Sequence, residues 1–517
     1  MSQRASIPTS SITIPSRAGL REWLALTVLM LPVLLVSVDN TVLHFALPEI
    51  SEELRPSASE LLWMVDIYPL ILAGLLVSMG SLGDRIGRRR LLLIGATGFA
   101  AVSIVAAFAP SPLALIGARA ALGFFGAMLM PSTLSLLRNL FLDARQRRLA
   151  IAVWASGFAA GSALGPIVGG LLLEHFWWGS VFLLAVPVLV PLLVTAPFLI
   201  PDSKDPHPGP VDPVSIVLSL LAMVPLVYAI KEFASEGVTA AVIASVLVGT
   251  VSGVLFVRRQ LRRPSPMLDV RLFRLPQFSS AILVNLLSVV ALSGGLLFIT
   301  QHLQLVLGLS PIQSGLVMLP GLVTMILAGL LVVPIAGRIR PRFVIPVAML
   351  FTISGYLMVA LAGVELSQTD ILVAFILLGL GIGAAETVSN DLVIATAPAS
   401  KAGAASAVSE TAYELGSVLG TAVLGTVLMS AYRQNVVLPE GLTAADQAAA
   451  GETLGGAVSV SQGLGGEAGA ELLHSAQLAF DSGIAPTAAI GVAVVAAAAV
   501  IAFLGLRRVG LDGAKHE

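Results

Sequence analysis

Seven ionisable side chains lie inside, or at the edge of, otherwise apolar runs: Asp39, Asp66, Arg119, Glu386, Asp391, Glu410 and Glu414. Each costs roughly 2.5–3.5 kcal/mol at the centre of a membrane helix on insertion scales. Side chains kept at that cost normally face a cavity and work there, although a structural pair between helices is the plainer alternative. Carboxylates in such places suit two tasks. One is to hold a proton when alone and release it beside a guanidinium. The other is to hold an organic cation. Glu410 and Glu414 are four residues apart, so a helix turns them the same way. Their mutual repulsion is relieved by a proton or by a lipophilic cation, and competition of that kind is enough to couple the two. Trp63 and Tyr68 flank Asp66, Tyr413 adjoins Glu414, and Trp154 follows on a later run. A ring face over a cation contributes about 0.5–2 kcal/mol. Trp63 also suits the role of an interfacial anchor. His44 reads as a hydrogen-bonding residue at the end of its run, with a proton relay as the lesser role.

The elements that must hold these side chains are helices in a bilayer. Of 517 residues, 56% are hydrophobic and only 11% charged, and mean hydropathy is +0.94. A soluble chain carries about 25% charged residues. At roughly 20 apolar residues per crossing, fourteen spans are predicted at about 22–46, 60–79, 91–109, 113–136, 149–173, 179–199, 214–231, 238–257, 279–300, 313–335, 343–363, 371–392, 403–430 and 486–506. The first run is too long for a signal peptide and no cleavable segment precedes it. With both termini cytoplasmic, 25 of the 29 basic residues fall on the inner side. Only Arg55, Lys231 and Arg433 fall outside, and Arg119 falls within a span, which is the positive-inside pattern. At 1.5 Å per residue, Asp39 lies roughly 10 Å and Arg119 about 9 Å from the outer face, with Asp66 at the same level. Glu410 and Glu414 lie nearer the middle, Glu386 deeper than Asp391, and Asp391 near the inner mouth.

The spans group as six, two and six: a tail (1–21), a bundle (22–199), a two-helix insertion with its flanking loops (200–278), a second bundle (279–506) and a tail (507–517). The outer segment 431–485 reads either as a short helical hairpin or as an Ala/Gly linker. Cysteine is absent, so disulfides and thiol chemistry are excluded. No G-x-x-x-x-G-K-[ST] motif occurs, so an ion gradient must drive any transport, or the chain is a passive carrier. "GLGIGAAE" (379–386) lies within a span and is read as close helix packing. No enzymatic activity, cofactor, metal or nucleic-acid partner is expected.

Two motifs add direction. "GSLGDRIGRRR" (80–90) places Gly80, Asp84, Arg85, Gly87 and Arg88 in a tight inner turn, and "AGRIRPR" (336–342) is its worn repeat. In "GFAAGSALGPIVGG" (157–170), Gly157, Gly161, Gly165 and Gly169 recur every four residues, with Pro166 and Gly170 beside them. The result is a bare ridge for close packing with a built-in kink.

The first motif resembles the loop 2–3 signature of the major facilitator superfamily, and the second resembles the antiporter signature of its exporters. "VDNTVLHFALP" (38–48), "LIGARAALGFFGA" (115–127) and "VSNDLVIATAPASKAGAASAVSETAYELG" (388–416) are similar to the fourteen-span drug:proton antiporters of the QacA, SmvA and LfrA type, the LfrA type most. The resemblance runs along nearly the whole chain. It implies a bacterial cytoplasmic-membrane exporter of hydrophobic, mostly cationic drugs, dyes and antiseptics in exchange for protons. Quaternary ammonium compounds, ethidium, acriflavine and fluoroquinolones are the implied substrates. A monomer among membrane lipids is expected, with the 80–90 loop as a conformational latch. Asp39, Arg119 and Asp66 are candidates for proton coupling. Glu414, Glu410, Asp66, Tyr413, Trp63, Tyr68, Trp154 and Glu386 are candidates for substrate binding. Some relatives carry an added acid on span 10, associated with dicationic drugs. Here "QSGLVMLPGLVTMILAGLLVVP" has none, so monovalent cations are expected to be favoured. The alternatives are a lipid or metabolite exporter and a non-transporting receptor or scaffold.

Overall fold

The computed structural model describes residues 18–204, 212–264, 266–363, 366–396 and 402–507. Most of both tails read from the sequence lies outside the described residues. The chain is a bundle of long helices: α1 (Leu20–Leu54), α2 (Ala58–Ile86), α3 (Arg88–Ala107), α4 (Pro112–Leu140), α5 (Ala144–His175), α6 (Ser180–Leu183) and α7 (Ala185–Leu199). There follow α8 (Pro213–Glu236), α9 (Ala240–Arg262), α10 (Pro276–Gln301), α11 (Pro311–Ala336), α12 (Pro341–Ala362) and α13 (Gln368–Thr396). The last are α14 (Ala402–Gly420), α15 (Thr426–Asn435), α16 (Ala444–Glu452), α17 (Leu454–Leu464) and α18 (Gly466–Gly505). Among the described residues, thirteen helices are long and apolar enough to cross a membrane, and up to fourteen if the bent α5 counts as one span. That bend is 41°, between Ser162 and Leu164. Pro166 has no N–H to give the carbonyl four residues earlier, which is that of Ser162.

Local sequence sets many of the helix starts. Ser57, Ser111, Asp212, Thr239 and Ser310 each accept a backbone N–H from the first turn they cap, satisfying a donor that would otherwise be orphaned. Proline stands in the first turn of α4, α8, α10, α11 and α12, where its missing N–H costs nothing. Short π-turns interrupt the ladder at His302–Val306 and Thr421–Gly425.

Helices α1–α7 pack on one another, as do α10–α18. The two sets touch through α5 on α11, α14 on α2 and α1 on α10. The atomic contacts between them gather at one end. A Cβ on Gly315 would come 2.7 Å from the Pro166 carbonyl oxygen, one on Gly170 2.6 Å from the Ile312 Cα, and one on Gly425 2.6 Å from Leu62. Gln304 also donates to the Phe45 carbonyl oxygen at 3.3 Å. The same end carries the segment that sequence left open between hairpin and linker. There α16 and α17 are short helices, and α18 begins twenty residues before the apolar run proper. Arg55 pairs with Asp446 at 3.4 Å and Arg433 with Glu452 at 3.8 Å, so two of the three basic residues assigned outside hold this segment down.

The α8–α9 pair is fastened at the opposite end by Asp212. Its carboxylate accepts from Arg259 Nε and Nη2, each at 2.9 Å, and from Ser215 Oγ at 2.6 Å, with Arg263 at 3.2 Å. The Arg259 hydrogen bonds hold the Asp212 carboxyl well below the usual carboxylate range.

Candidate functional site

The glycine ridge of α5 lies along α1. A Cβ on Gly157 would come 2.5 Å from Met30 Cε, one on Gly161 2.6 Å from Ser37 Cβ, and one on Gly169 2.6 Å from Val42. Gly165 faces Thr41 more closely still. Hydrogen fits here and methyl does not, so the two backbones meet where α1 carries Asp39 and Asn40. Ser37 Oγ donates to the Phe158 carbonyl oxygen at 2.6 Å, which fixes the rotation of α1.

With α1 so placed, Asp39 Oδ2 accepts from Arg119 Nη1 of α4 at 3.1 Å, their side chains 8% and 2% exposed. Arg119 Nε donates to the Met64 carbonyl oxygen at 2.8 Å. The guanidinium carbon stands 4.9 Å from the centroid of the Tyr68 ring. Two helices, α1 and α2, therefore grip the α4 cation, and the level matching of Asp39 and Arg119 corresponds to a direct contact. Tyr68, expected beside Asp66 as a cation ligand, instead belongs to the resident arginine.

Asn40, one residue on from Asp39, turns toward Glu414 of α14, which is buried. Glu414 is within electrostatic reach of Asp39 and Glu410, and Tyr413 within reach of Glu386 and Glu414. One oxygen each of Glu414 and Glu386 is buried without a hydrogen-bond partner. Glu410 and Glu386 are half-buried, Asp391 is exposed, and Tyr413 is 38% exposed. Among the described residues no base pairs with Glu386, Glu410 or Glu414, whereas Asp39 has Arg119. Trp154 is buried, donates to Thr133 Oγ1 at 3.1 Å and packs edge-on against Phe158, so its polar atom is already used. His44 is buried with Nδ1 unpartnered.

Asp66 departs most from expectation. Its ion pair is with Lys231 of α8 at 2.8 Å, the two side chains 0% and 1% exposed, and not with Arg119. Lys231, assigned to an outer segment by its position at the end of an apolar run, is buried among helices, with its ammonium 4.1 Å from the Trp63 centroid. A second pair was missed altogether. His302 Nδ1 meets Asp481 of α18 at 2.9 Å, and His302 Nε2 meets the Leu366 carbonyl oxygen at 3.0 Å. Asp481 lies in the segment that sequence leaves open between hairpin and linker, and the early start of α18 buries it. Three polar residues, Gln301, His302 and Gln304, set within a continuing apolar run were the available signal.

In the 80–90 turn, Arg88 holds Asp84 through Nε at 2.9 Å and Nη2 at 2.8 Å. Arg89 donates to the Ile200 carbonyl oxygen at 2.9 Å and Arg88 N–H to that of Ser203 at 2.9 Å. Gly87 has φ +108°, and a Cβ there would lie 2.7 Å from Asp202 Oδ1. The turn therefore clamps the strand of chain leading from α7 toward α8. Gly80 faces Pro131, and Arg85 lies in the last turn of α2.

Residues 29–421 match the Major Facilitator Superfamily model. The chain is 59% identical over 493 residues to the multidrug efflux pump LfrA of Mycolicibacterium smegmatis, covering 95% of this chain and 98% of that one. It is 36% identical over 461 residues to the methyl viologen resistance protein SmvA of Salmonella typhimurium, covering 89% and 93%. A solved bacterial homologue of the human lysosomal transporter Spinster has the same fold, with TM-score 0.67 at 18% identity, covering 95% of this chain and 98% of that one. The helices, the buried charges and these matches agree: the chain is a multi-pass membrane transporter, not an enzyme, and belongs to the Major Facilitator Superfamily.

Proposed function

We propose that this transporter exports lipophilic, mostly cationic drugs, dyes and antiseptics across a bacterial cytoplasmic membrane in exchange for protons. The observation that carries this reading is the division of labour across α1. Asp39 is paired to Arg119, while the next residue turns to Glu414, an acid with an unpartnered buried oxygen. In this reading Asp39 exchanges Arg119 for a proton, and Glu414, with Glu410 and Glu386, takes the cation. One helix senses both ligands, so loading one site biases the other through the position of α1. The relatives named for multidrug efflux and methyl viologen resistance support the substrate class.

The further parts belong to the same proposal. Both termini are cytoplasmic, the chain divides six, two and six, and the contacts at the α16–α17 end close its outer mouth. The glycine ridge is the packing face that lets α5 slide on α1, and the 80–90 turn is a latch on the path to α8. The protein works as a monomer among membrane lipids. Quaternary ammonium compounds, ethidium, acriflavine and fluoroquinolones are its substrates, monovalent cations ahead of divalent ones. Ethidium accumulation in cells expressing the protein tests the reading. It should fall on expression and recover when a protonophore collapses the gradient; no change in either direction contradicts export.

A further inference from the structure

The α8–α9 pair is more than a spacer. Helix α8 presses one face onto α2: Ser219 Oγ donates to the Gly74 carbonyl oxygen at 3.3 Å, Leu220 fills the space over Gly74, and Val227 packs with Leu70. Lys231 continues this face, at i+4 from Val227. Val418 and Ala422 of the α14 region join the same apolar cluster, so α8 covers the seam where α2 meets α14. Beside that face lies an apolar groove of about 530 Å³ shared with α9 and α14, lined by Met223, Leu226, Phe233, Val246, Leu415 and Leu419 among others.

What Lys231 occupies is a complete cation site. The Asp66 carboxylate is 2.8 Å from its ammonium, and the Trp63 ring is 4.1 Å away. A carboxylate and an aromatic face, desolvated together, are the chemistry that holds an organic monocation. We propose that Lys231 is the resident occupant of a cation site made by Asp66 and Trp63, and that a transported organic monocation reaches this site only when α8 withdraws Lys231. The inference rests on the reading of the chain as a cation exporter and adds a role for α8 in it. A carboxylate that α8 neutralises in one arrangement and exposes in another cannot trap its substrate permanently. Lys231 is thus a positioning residue: it sets when Asp66 is available.

The test is equilibrium binding of tetraphenylphosphonium to the purified full-length protein, with no proton gradient present. Lys231→Met keeps the length and packing of the side chain but vacates the site. It should bind the probe about fivefold tighter than the parent, the factor of one ring–cation contact of ~1 kcal/mol. Lys231→Arg should bind like the parent, and Lys231→Met with Asp66→Asn should lose the gain. An unchanged affinity in Lys231→Met, or a gain that survives Asp66→Asn, overturns the proposal. If Lys231→Met does not yield folded protein, Lys231→Leu, likewise uncharged and unable to pair with Asp66, gives the same comparison. Dye export against a gradient is read separately: its absence would overturn the exchange mechanism while leaving this binding result to stand or fall alone.

Discussion

Arg119 Nη1 and Asp39 Oδ2 are 3.1 Å apart in the buried interior, and the same guanidinium gives its Nε to the Met64 carbonyl oxygen. The arginine therefore ties α4 to both α1 and α2. Removing it should leave a buried carboxylate uncompensated, at a cost of about 3–5 kcal/mol. Arg119→Ala is expected to lower the melting temperature of the detergent-solubilised protein strongly. In Arg119→Ala with Asp39→Asn, part of that loss should return. Additive losses in the double variant would mean that the pair is not coupled.

The ridge on α5 makes a steric prediction. Gly165→Ala places a methyl against Thr41, where no space exists, and should cost about 1–3 kcal/mol by overpacking. Gly117, with nothing near its Cβ position, should accept alanine at almost no cost. Thermal unfolding of the two variants side by side measures the difference, and equal stability would contradict the close contact of α5 and α1.

Glu414→Gln is expected to weaken the binding of monovalent cations about tenfold, the factor of ~1.4 kcal/mol, while changing neutral-drug binding much less. Matched losses for both classes would show that the carboxylate shapes the site without binding charge. The same assay run with mono- and dicationic probes tests the monovalent preference.

Asp212 gives a pH dependence of defined sign. Arg259 holds its carboxyl below the ordinary range. The fastening of α8 to α9 therefore contributes at every pH above the unfolded value, about 3.9. It is lost only as pH falls below that, toward the folded value. From this group, melting temperature should be flat between pH 5 and 8. Asp212→Asn should lower it across that whole range and remove this group's part of the acid-side decline. A variant whose stability converges with the parent already near pH 6 would contradict the assignment.

Hydropathy and charge made the long helices legible, because each apolar run had to become a span and the basic residues had to sort to one side. Depth counting along α1 and α4 brought Asp39 and Arg119 to one level, and a helix is regular enough for that to predict contact. It did not choose the partner of Asp66, since level alone does not distinguish neighbours around a helix, and the ammonium that reaches Asp66 comes from a helix 165 positions later in sequence. Lys231 misled because a lysine at the end of an apolar run ordinarily snorkels to the interface. Here α8 extends one turn further and turns that residue onto α2. His302 and Asp481 were hidden for a related reason: the apolar run of α18 begins well inside the actual helix, and a buried acid ahead of it reads as a loop residue.

Proton coupling through Asp39 is the central claim. Its most direct measurement is ethidium export by Asp39→Asn in proteoliposomes with an imposed pH gradient, together with equilibrium ethidium binding to the same protein. The account predicts that gradient-driven export is abolished while binding persists. Full export by Asp39→Asn under the gradient would contradict it.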